Sequence, residues 1–202
     1  MTVRGLLISL FPLGMIVGAA TSLGFAFWCK EPAYFGLLFA FLYLLPVLCF
    51  RIHQLIAPIK MGGSHLAGKG YSGWYGGHQI QLLYLYLPIL ERLLRMVPGA
   101  FSLWLRLWGA QVGKSIYWTP HFEISDRSLL SVGDNVIFGH RVTIVAHLIK
   151  PTRKNLLLYV KPVEIGSQSF IGAGTVIGPG VTVKEGAFVA IGSHLYPDSE
   201  AS

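Results

Sequence analysis

Residues 165–195 read IGSQSF, IGAGTV, IGPGVT, VKEGAF, VAIGSH and a closing Leu195. An aliphatic residue returns at every sixth position: Ile165, Ile171, Ile177, Val183, Val189 and Leu195. Ser169, Thr175, Val181, Ala187 and Ser193 hold the fifth position, and Gly or another small residue commonly follows the aliphatic one. Neither an α-helix nor a single strand has a period of six. Six residues make a short flat strand and a corner, and three such units close a triangular coil. The aliphatic position then points inward and stacks on its equivalents, so stacked coils bury a core that one coil cannot. Gly and small residues allow the tight corners.

The period extends towards the N-terminus. Val132-Gly133, Phe138-Gly139 and Ile144 repeat it, with Val136 and Val142 in the fifth position, and Val112-Gly113, Trp118 and Ile124 form a looser set. The phase slips by two residues between Ile124 and Val132. It breaks again between Leu148 and Val163, where PTRKN and LLLYV intervene, and this segment is expected to be a loop expelled from the coil. About eleven units, hence about four coils, lie between Val112 and Leu195.

This pattern resembles the hexapeptide-repeat acyltransferases. VGDNVIFGHRVTIVAH (132–147) resembles the coil that leads to the active site in the xenobiotic and maltose/galactoside O-acetyltransferase branch. KPVEIGSQSFIGAGTVIGPGVTVKEGAFVAIGS (161–193) resembles that branch's closing coils, and LRLWGAQVGKSIY (105–117) its lead-in. The resemblance implies a left-handed parallel β-helix, acetyl-coenzyme A as acyl donor, no metal, and a homotrimer with sites shared between subunits. The chain departs from the soluble enzymes in its apolar N-terminal part, and it lacks a GNPAK-like ending after Pro197.

Acyl transfer from a thioester to a hydroxyl or amine requires proton removal from the nucleophile, and an imidazole titrating near neutrality suits that task. The resemblance places the general base just before the expelled loop, at His147 in IVAHLIKP, with the loop over 149–161. A backbone N–H of a neighbouring coil would hold the oxyanion. PHFEISD resembles the family's segment with an acidic residue just before the VGDN unit, so Asp126 is the first choice for a carboxylate partner and Glu123 the second; His140 is an alternative residue lining the cleft. Asp134 and Asn135 read as turn residues. Coenzyme A is expected along a coil edge between two subunits, its pantetheine arm over Gly172, Ala173 and Gly174 and over Ala190 and Gly192. By the resemblance Lys184, and less directly Lys161, would meet its phosphates. Lys150, Arg153 and Lys154 of the loop suit phosphate or acceptor equally.

The 202 residues are 53% apolar and only 12% charged, with a mean hydropathy of +0.57. Soluble domains carry about 25% charged residues, so a purely soluble or disordered chain is disfavoured. Gly5–Trp28 and Pro32–Phe50 contain no charge, and each is long enough for a bilayer core. The intervening Cys29-Lys30-Glu31 makes them a helical hairpin rather than a cleaved signal peptide followed by a soluble domain. Gly14, Gly18, Ala19 and Gly24 permit close helix approach, and Pro12 and Pro46 are expected to kink the helices. Arg4 precedes the hairpin, whereas Arg51, Lys60 and Lys69 follow it. The positive-inside rule then puts both termini and the catalytic domain in the cytoplasm, at an inner membrane of bacterial type. Cys29 and Cys49 lack metal spacing and read as unpaired.

The net charge of +7 suits an anionic membrane surface; no nucleic-acid motif accompanies it. The Gly- and aromatic-rich 59–77 reads as a membrane-surface loop. Residues 79–110, where Glu91, Arg92, Arg95 and Arg106 interrupt an apolar run, form either interfacial helices or helices packed on the repeat domain. The expected organisation is a hairpin over 1–58, a surface segment over 59–110 and the β-helix over 111–202. The corresponding function is acyl transfer to a membrane-associated acceptor such as a lipid-linked sugar or peptide. The alternatives are a non-catalytic trimeric membrane scaffold, or a metalloenzyme of the γ-carbonic-anhydrase type on the same fold.

Overall fold

A computed structural model describes residues 3–66, 70–153 and 155–202. Lys69 and Lys154, both given roles above, lie outside the described residues. The chain divides into two compact units, Met1–Ile59 with Gly68–Leu90, and Lys60–Ala67 with Glu91–Ser202. Residues 91–110 therefore belong to the same unit as the repeats.

In the first unit α1 (Val3–Ser9) and α2 (Phe11–Cys29) follow one another through Leu10. Lys30 ends α2 in the left-handed conformation, with φ 55°. The return runs through α3 (Ala33–Phe39), a π-helical turn over Ala40–Leu44, and α4 (Leu45–Ile56). Val3–Cys29, at 27 residues and hydropathy 2.0, and Ala33–Ile56, at 24 residues and 2.2, are long and apolar enough to cross a membrane. The longer one extends about 40 Å at 1.5 Å per residue, against a hydrocarbon core of about 30 Å. Pro46 sits in the first turn of α4, directly after the widened turn, so the ring that cannot donate to the helix ladder is absorbed there. Of the four small residues expected to admit a close approach, Gly18 does so against the Phe41 ring, whereas Gly14 and Gly24 have open space beside them.

Two elements stand where a surface loop was expected. β1 (Gly62–His65) belongs to the second unit, and α5 (Gly73–Tyr86) to the first. The Ser72 hydroxyl caps α5 by accepting from the Tyr75 N–H at 3.3 Å. Gly73 is required there, because a Cβ would stand 2.5 Å from the carbonyl oxygens of Ala57 and Pro58.

The second unit opens with α6 (Ile89–Arg95, from Glu91 onwards) and α7 (Ala100–Trp108). Phe101, Trp104, Leu105 and Trp108 of α7 are buried, and Phe101 packs edge-on to Trp118 and Phe122 of the first coil. Helix α7 thus packs on the repeats with one of its two apolar faces.

The repeats follow as β2 (Gln111–Val112), β3 (Glu123–Ile124), β4 (Leu130–Val132), β5 (Ile137–Phe138) and β6 (Thr143–Ile144). A hairpin of β7 (His147–Pro151) and β8 (Leu156–Val160) interrupts them. They resume with β9 (Val163–Ile165), β10 (Phe170–Ile171), β11 (Val176–Ile177), β12 (Thr182–Val183), β13 (Phe188–Val189), β14 (His194–Leu195) and β15 (Glu200–Ala201). Three parallel sheets result, ordered β2-β4-β9-β12-β15, β5-β10-β13 and β3-β6-β11-β14. Their register aligns Val112, Val132, Ile165, Val183 and Ala201 on one face. Phe138, Ile171 and Val189 align on the second, and Ile124, Ile144, Ile177 and Leu195 on the third. The six-residue period is thus a parallel β-helix of four coils with the first positions inside. Ile171, Ile177 and Phe138 are wholly buried. Each such side chain removed from water contributes about 1.5–3 kcal/mol.

The second position of each unit lies against the next coil: a Cβ on Gly172 would stand 2.5 Å from the Ile191 nitrogen. The fourth position turns the corner in the left-handed region, as at Gly174, Gly180, Gly186 and Gly192 and at Asn135. The hairpin leaves the coil between Ala146 and Lys161, whose N–H donates to the Ala146 carbonyl at 3.1 Å. β1 pairs antiparallel with its outer strand β8.

Candidate active site

The two-residue slip between Ile124 and Val132 shapes the site. A 3₁₀ turn over Arg127–Leu129 accommodates the extra length, and Asp126 and Arg127 are carried inward, 2% and 0% exposed. Directly beneath, the next coil passes through Val145 and Ala146 to His147, the first residue of the expelled hairpin. The His147 Nδ1 lies 2.7 Å from Asp126 Oδ2. The same oxygen accepts from the Ser125 hydroxyl at 2.9 Å and from the Ala146 N–H at 3.2 Å.

Three donors on one carboxylate oxygen fix the carboxylate, and the carboxylate fixes the ring. With the proton on Nδ1 donated to Asp126, the lone pair of the neutral imidazole lies on Nε2, the nitrogen able to take a proton. His147 keeps 16% of its side chain in solvent, against 2% for Asp126. The arrangement can therefore hold one tautomer, accept a proton and stabilise the resulting imidazolium.

Of the two carboxylates weighed as partner, it is Asp126 that bonds to His147; Glu123 is exposed on β3. His140 lies at a different corner, its ring 4.8 Å from that of His121.

A second layer lies behind Asp126. Arg127 Nε donates to Glu91 Oε1 at 2.6 Å, and the Trp104 Nε1–H donates to the same oxygen at 2.9 Å. Arg95 stands 3.8 Å from the other Glu91 oxygen, its guanidinium 4.1 Å over the Phe101 ring. Burial pushes the Arg95 guanidinium down to about 10, with Glu91 pulling the other way. The sequence alone does not single out Ser125 or Arg127, and it marks Glu91 only as a charge interrupting an apolar run. Their signals were the phase slip, which holds Ser125 and Arg127, and a charge stranded in an apolar helix, Glu91.

The expected coenzyme residues fall on two corners. Gly172–Gly174 and Ala190–Gly192 stack in consecutive coils, with the Gly192 N–H donating to the Ala173 carbonyl at 2.8 Å. Outside Gly174 and Gly192 there is open space, so a ligand can approach this backbone. Lys184 lies at another corner, 3.1 Å from Glu200, and lines an open groove of about 930 Å³ with Arg106, Ser131 and Glu164. Lys161 pairs with Asp198 at 2.6 Å. His147 and Gly172–Gly174 follow strands of different sheets, β6 and β10, and so occupy different edges of the prism.

The second unit is thus a parallel β-helix built on a six-residue repeat, with a His–Asp pair at one of its corners. The chain is similar to the galactoside O-acetyltransferase of Escherichia coli K12, 32% identical over 90 residues, covering 43% of this chain and 44% of that one. It is similar also to the galactoside O-acetyltransferase of Lactococcus lactis, 33% identical over 89 residues and 43% of each chain. The chain thus spans less than half the length of these curated relatives. A hexapeptide-repeat acetyltransferase from Vibrio cholerae, solved with acetyl-coenzyme A, aligns at 18% identity and a TM-score of 0.41, covering 60% of this chain and 82% of that one. No protein-family model matches the chain.

Proposed function

We propose that the protein is a membrane-anchored, coenzyme-A-dependent acyltransferase. It moves an acetyl or other short acyl group from the thioester to a hydroxyl or amine of a membrane-associated acceptor, such as a lipid-linked sugar or peptide. The observation that carries this reading is the 2.7 Å contact between His147 Nδ1 and the buried Asp126 carboxylate. His147 takes the acceptor's proton on Nε2 as the acceptor oxygen or nitrogen attacks the thioester carbonyl. Asp126 stabilises the imidazolium, and the proton passes to the departing thiolate.

The pantetheine arm lies along Gly172–Gly174 and Ala190–Gly192. Because that edge differs from the edge bearing His147, one copy's coenzyme groove meets the next copy's imidazole in a homotrimer of left-handed prisms. Val3–Cys29 and Ala33–Ile56 anchor the chain, with both termini and the repeats on the cytoplasmic side, where acyl-coenzyme A is made. Similarity to the galactoside O-acetyltransferases supports the donor chemistry.

The test uses the full chain in nanodiscs, acetyl-coenzyme A, and either a bacterial lipid extract or galactosides as acceptors. Free thiol is read over time. His147→Ala is expected to keep coenzyme A binding and oligomeric state but to lose about 10²–10⁴-fold in turnover. Unchanged turnover in His147→Ala, or failure of the wild-type chain to bind coenzyme A, overturns the reading. The second of these outcomes is what a non-catalytic scaffold gives.

A further inference from the structure

Residues 92–97 and the first two corners of the β-helix present an exposed surface that the chemistry above does not use. At the end of α6, Leu93, Met96 and Val97 point into solvent; Met96 is 77% and Val97 57% exposed. These residues belong to the unit that already has its own core, so the patch is not the inner face of that core.

The patch has a cationic border. Arg95 ties it to the first corner by donating from Nη1 to the Pro120 carbonyl at 2.9 Å. The next residue is His121, whose ring stacks edge-on against that of His140 in the coil below, and Arg141 follows His140. Partial loss of hydration, then the positive charges of Arg92, His140 and Arg141, hold the His121 imidazole below its ordinary value. Guanidiniums close enough to depress the protonation of the His121 ring form a place where an anion is stabilised.

We infer that this surface, Leu93, Met96 and Val97 with Arg92, His121 and Arg141, docks on an anionic phospholipid leaflet. The apolar side chains enter the acyl boundary and the Arg92 and Arg141 guanidiniums meet headgroup phosphates, whose negative charge favours the protonated His121 ring. Apolar side chains beside a cationic rim are the composition that interfacial binding requires, and each Arg close to such a surface strengthens it. The occupant is a bilayer rather than a protein, because the Arg92 and Arg141 guanidiniums outweigh the one exposed carboxylate close by, Glu123, and the same chain carries two segments able to span a membrane. The inference rests on the anchored reading proposed above.

The experiment uses the full chain with Cys29→Ser and Cys49→Ser, and a nitroxide at Met96→Cys. A second chain carries the label at Tyr196→Cys, in the last coil. Nanodiscs contain phosphatidylcholine alone or mixed with phosphatidylglycerol, and collision with oxygen is compared with collision with a water-soluble nickel chelate. The oxygen-to-nickel ratio at Met96→Cys should rise several-fold with phosphatidylglycerol. It should fall back when Arg92→Gln, His121→Gln and Arg141→Gln are combined, while Tyr196→Cys stays aqueous throughout. A nickel-accessible label in both lipid mixtures overturns the inference. So does a depth indifferent to phosphatidylglycerol and to the triple variant, or a label shielded from both reagents, which marks a protein contact. A chain that does not co-elute with nanodiscs fails at the anchored reading itself and takes the inference with it.

Discussion

Arg127 Nε stands 2.6 Å from Glu91 Oε1, across 36 residues of sequence, with the Arg127 side chain fully buried and 5% of that of Glu91 exposed. The pair joins the helical segment to the turn that carries Asp126, so the same bond that secures α6 holds the corner above His147. Removing one partner of a buried pair costs about 3–5 kcal/mol, because the other charge stays behind without compensation. Arg127→Met should therefore destabilise the second unit by that amount. Glu91→Gln, which still accepts from Trp104, should cost less, and the double variant clearly less than the sum. Denaturation midpoints of the four chains in one detergent give the coupling.

Second and fourth repeat positions favour glycine for different reasons, and substitution separates them. At Gly166 the backbone of the next coil, at Glu185, occupies the space a Cβ needs; at Gly186 there is open space but φ is +71°. Gly166→Ala and Gly166→Asn should both destabilise, by about 1–3 kcal/mol, through overpacking. Gly186→Ala should lose about 1–2 kcal/mol to the left-handed conformation, and Gly186→Asn should recover most of it. Asn135 already holds the equivalent place at φ 56°. Thermal midpoints of the four variants decide the matter.

What the sequence made legible follows from what repeats. The inward rows could be read because every first position meets the same environment, and Asp126 could be found through the resemblance of PHFEISD to a family motif, whereas the slip that turns it inward gave its burial only in the fold. The Glu91–Arg127 pair was hidden, since nothing local links a charge in an apolar helix to a turn 36 residues on. Helix α7 was ambiguous for a related reason: Leu103 and Leu107 are exposed while Phe101, Trp104 and Leu105 are buried, so no polar face distinguishes the sides. Strand β1 reads GGSH, without alternation, and is a strand only because β8 offers an edge.

The Asp126 carboxylate should matter more to turnover than its own hydrogen-bond donor does. Asp126→Asn offers His147 Nδ1 no negative partner, and should lower kcat by about 10²-fold or more with KM for acetyl-coenzyme A little changed. Ser125→Ala removes one of three donors, a loss of about 1 kcal/mol, or roughly fivefold in rate. Equal losses in the two variants would show a shared packing defect instead. Thiol release at saturating donor measures both.

Asp198 clamps the base of the expelled hairpin: it accepts from Lys161 Nζ at 2.6 Å and from the Tyr159 hydroxyl at 2.8 Å. The Lys161 ammonium, then the Tyr159 hydroxyl, hold the Asp198 carboxyl below its ordinary value, and the carboxylate in turn raises Lys161. For a carboxyl with a lowered folded value, the stabilisation is complete above the unfolded value of about 3.9 and is lost as pH falls through the folded one. For a raised lysine it is complete below about 10.4 and is lost as pH rises through the folded value. The clamp should therefore be constant from about pH 5 to 9. Protection factors of the Val160 and Lys161 amides, corrected for intrinsic exchange, should be flat across that window in the wild type. Asp198→Asn should lower them by the same factor at every pH within it, and a loss confined to one end of the window would contradict this assignment.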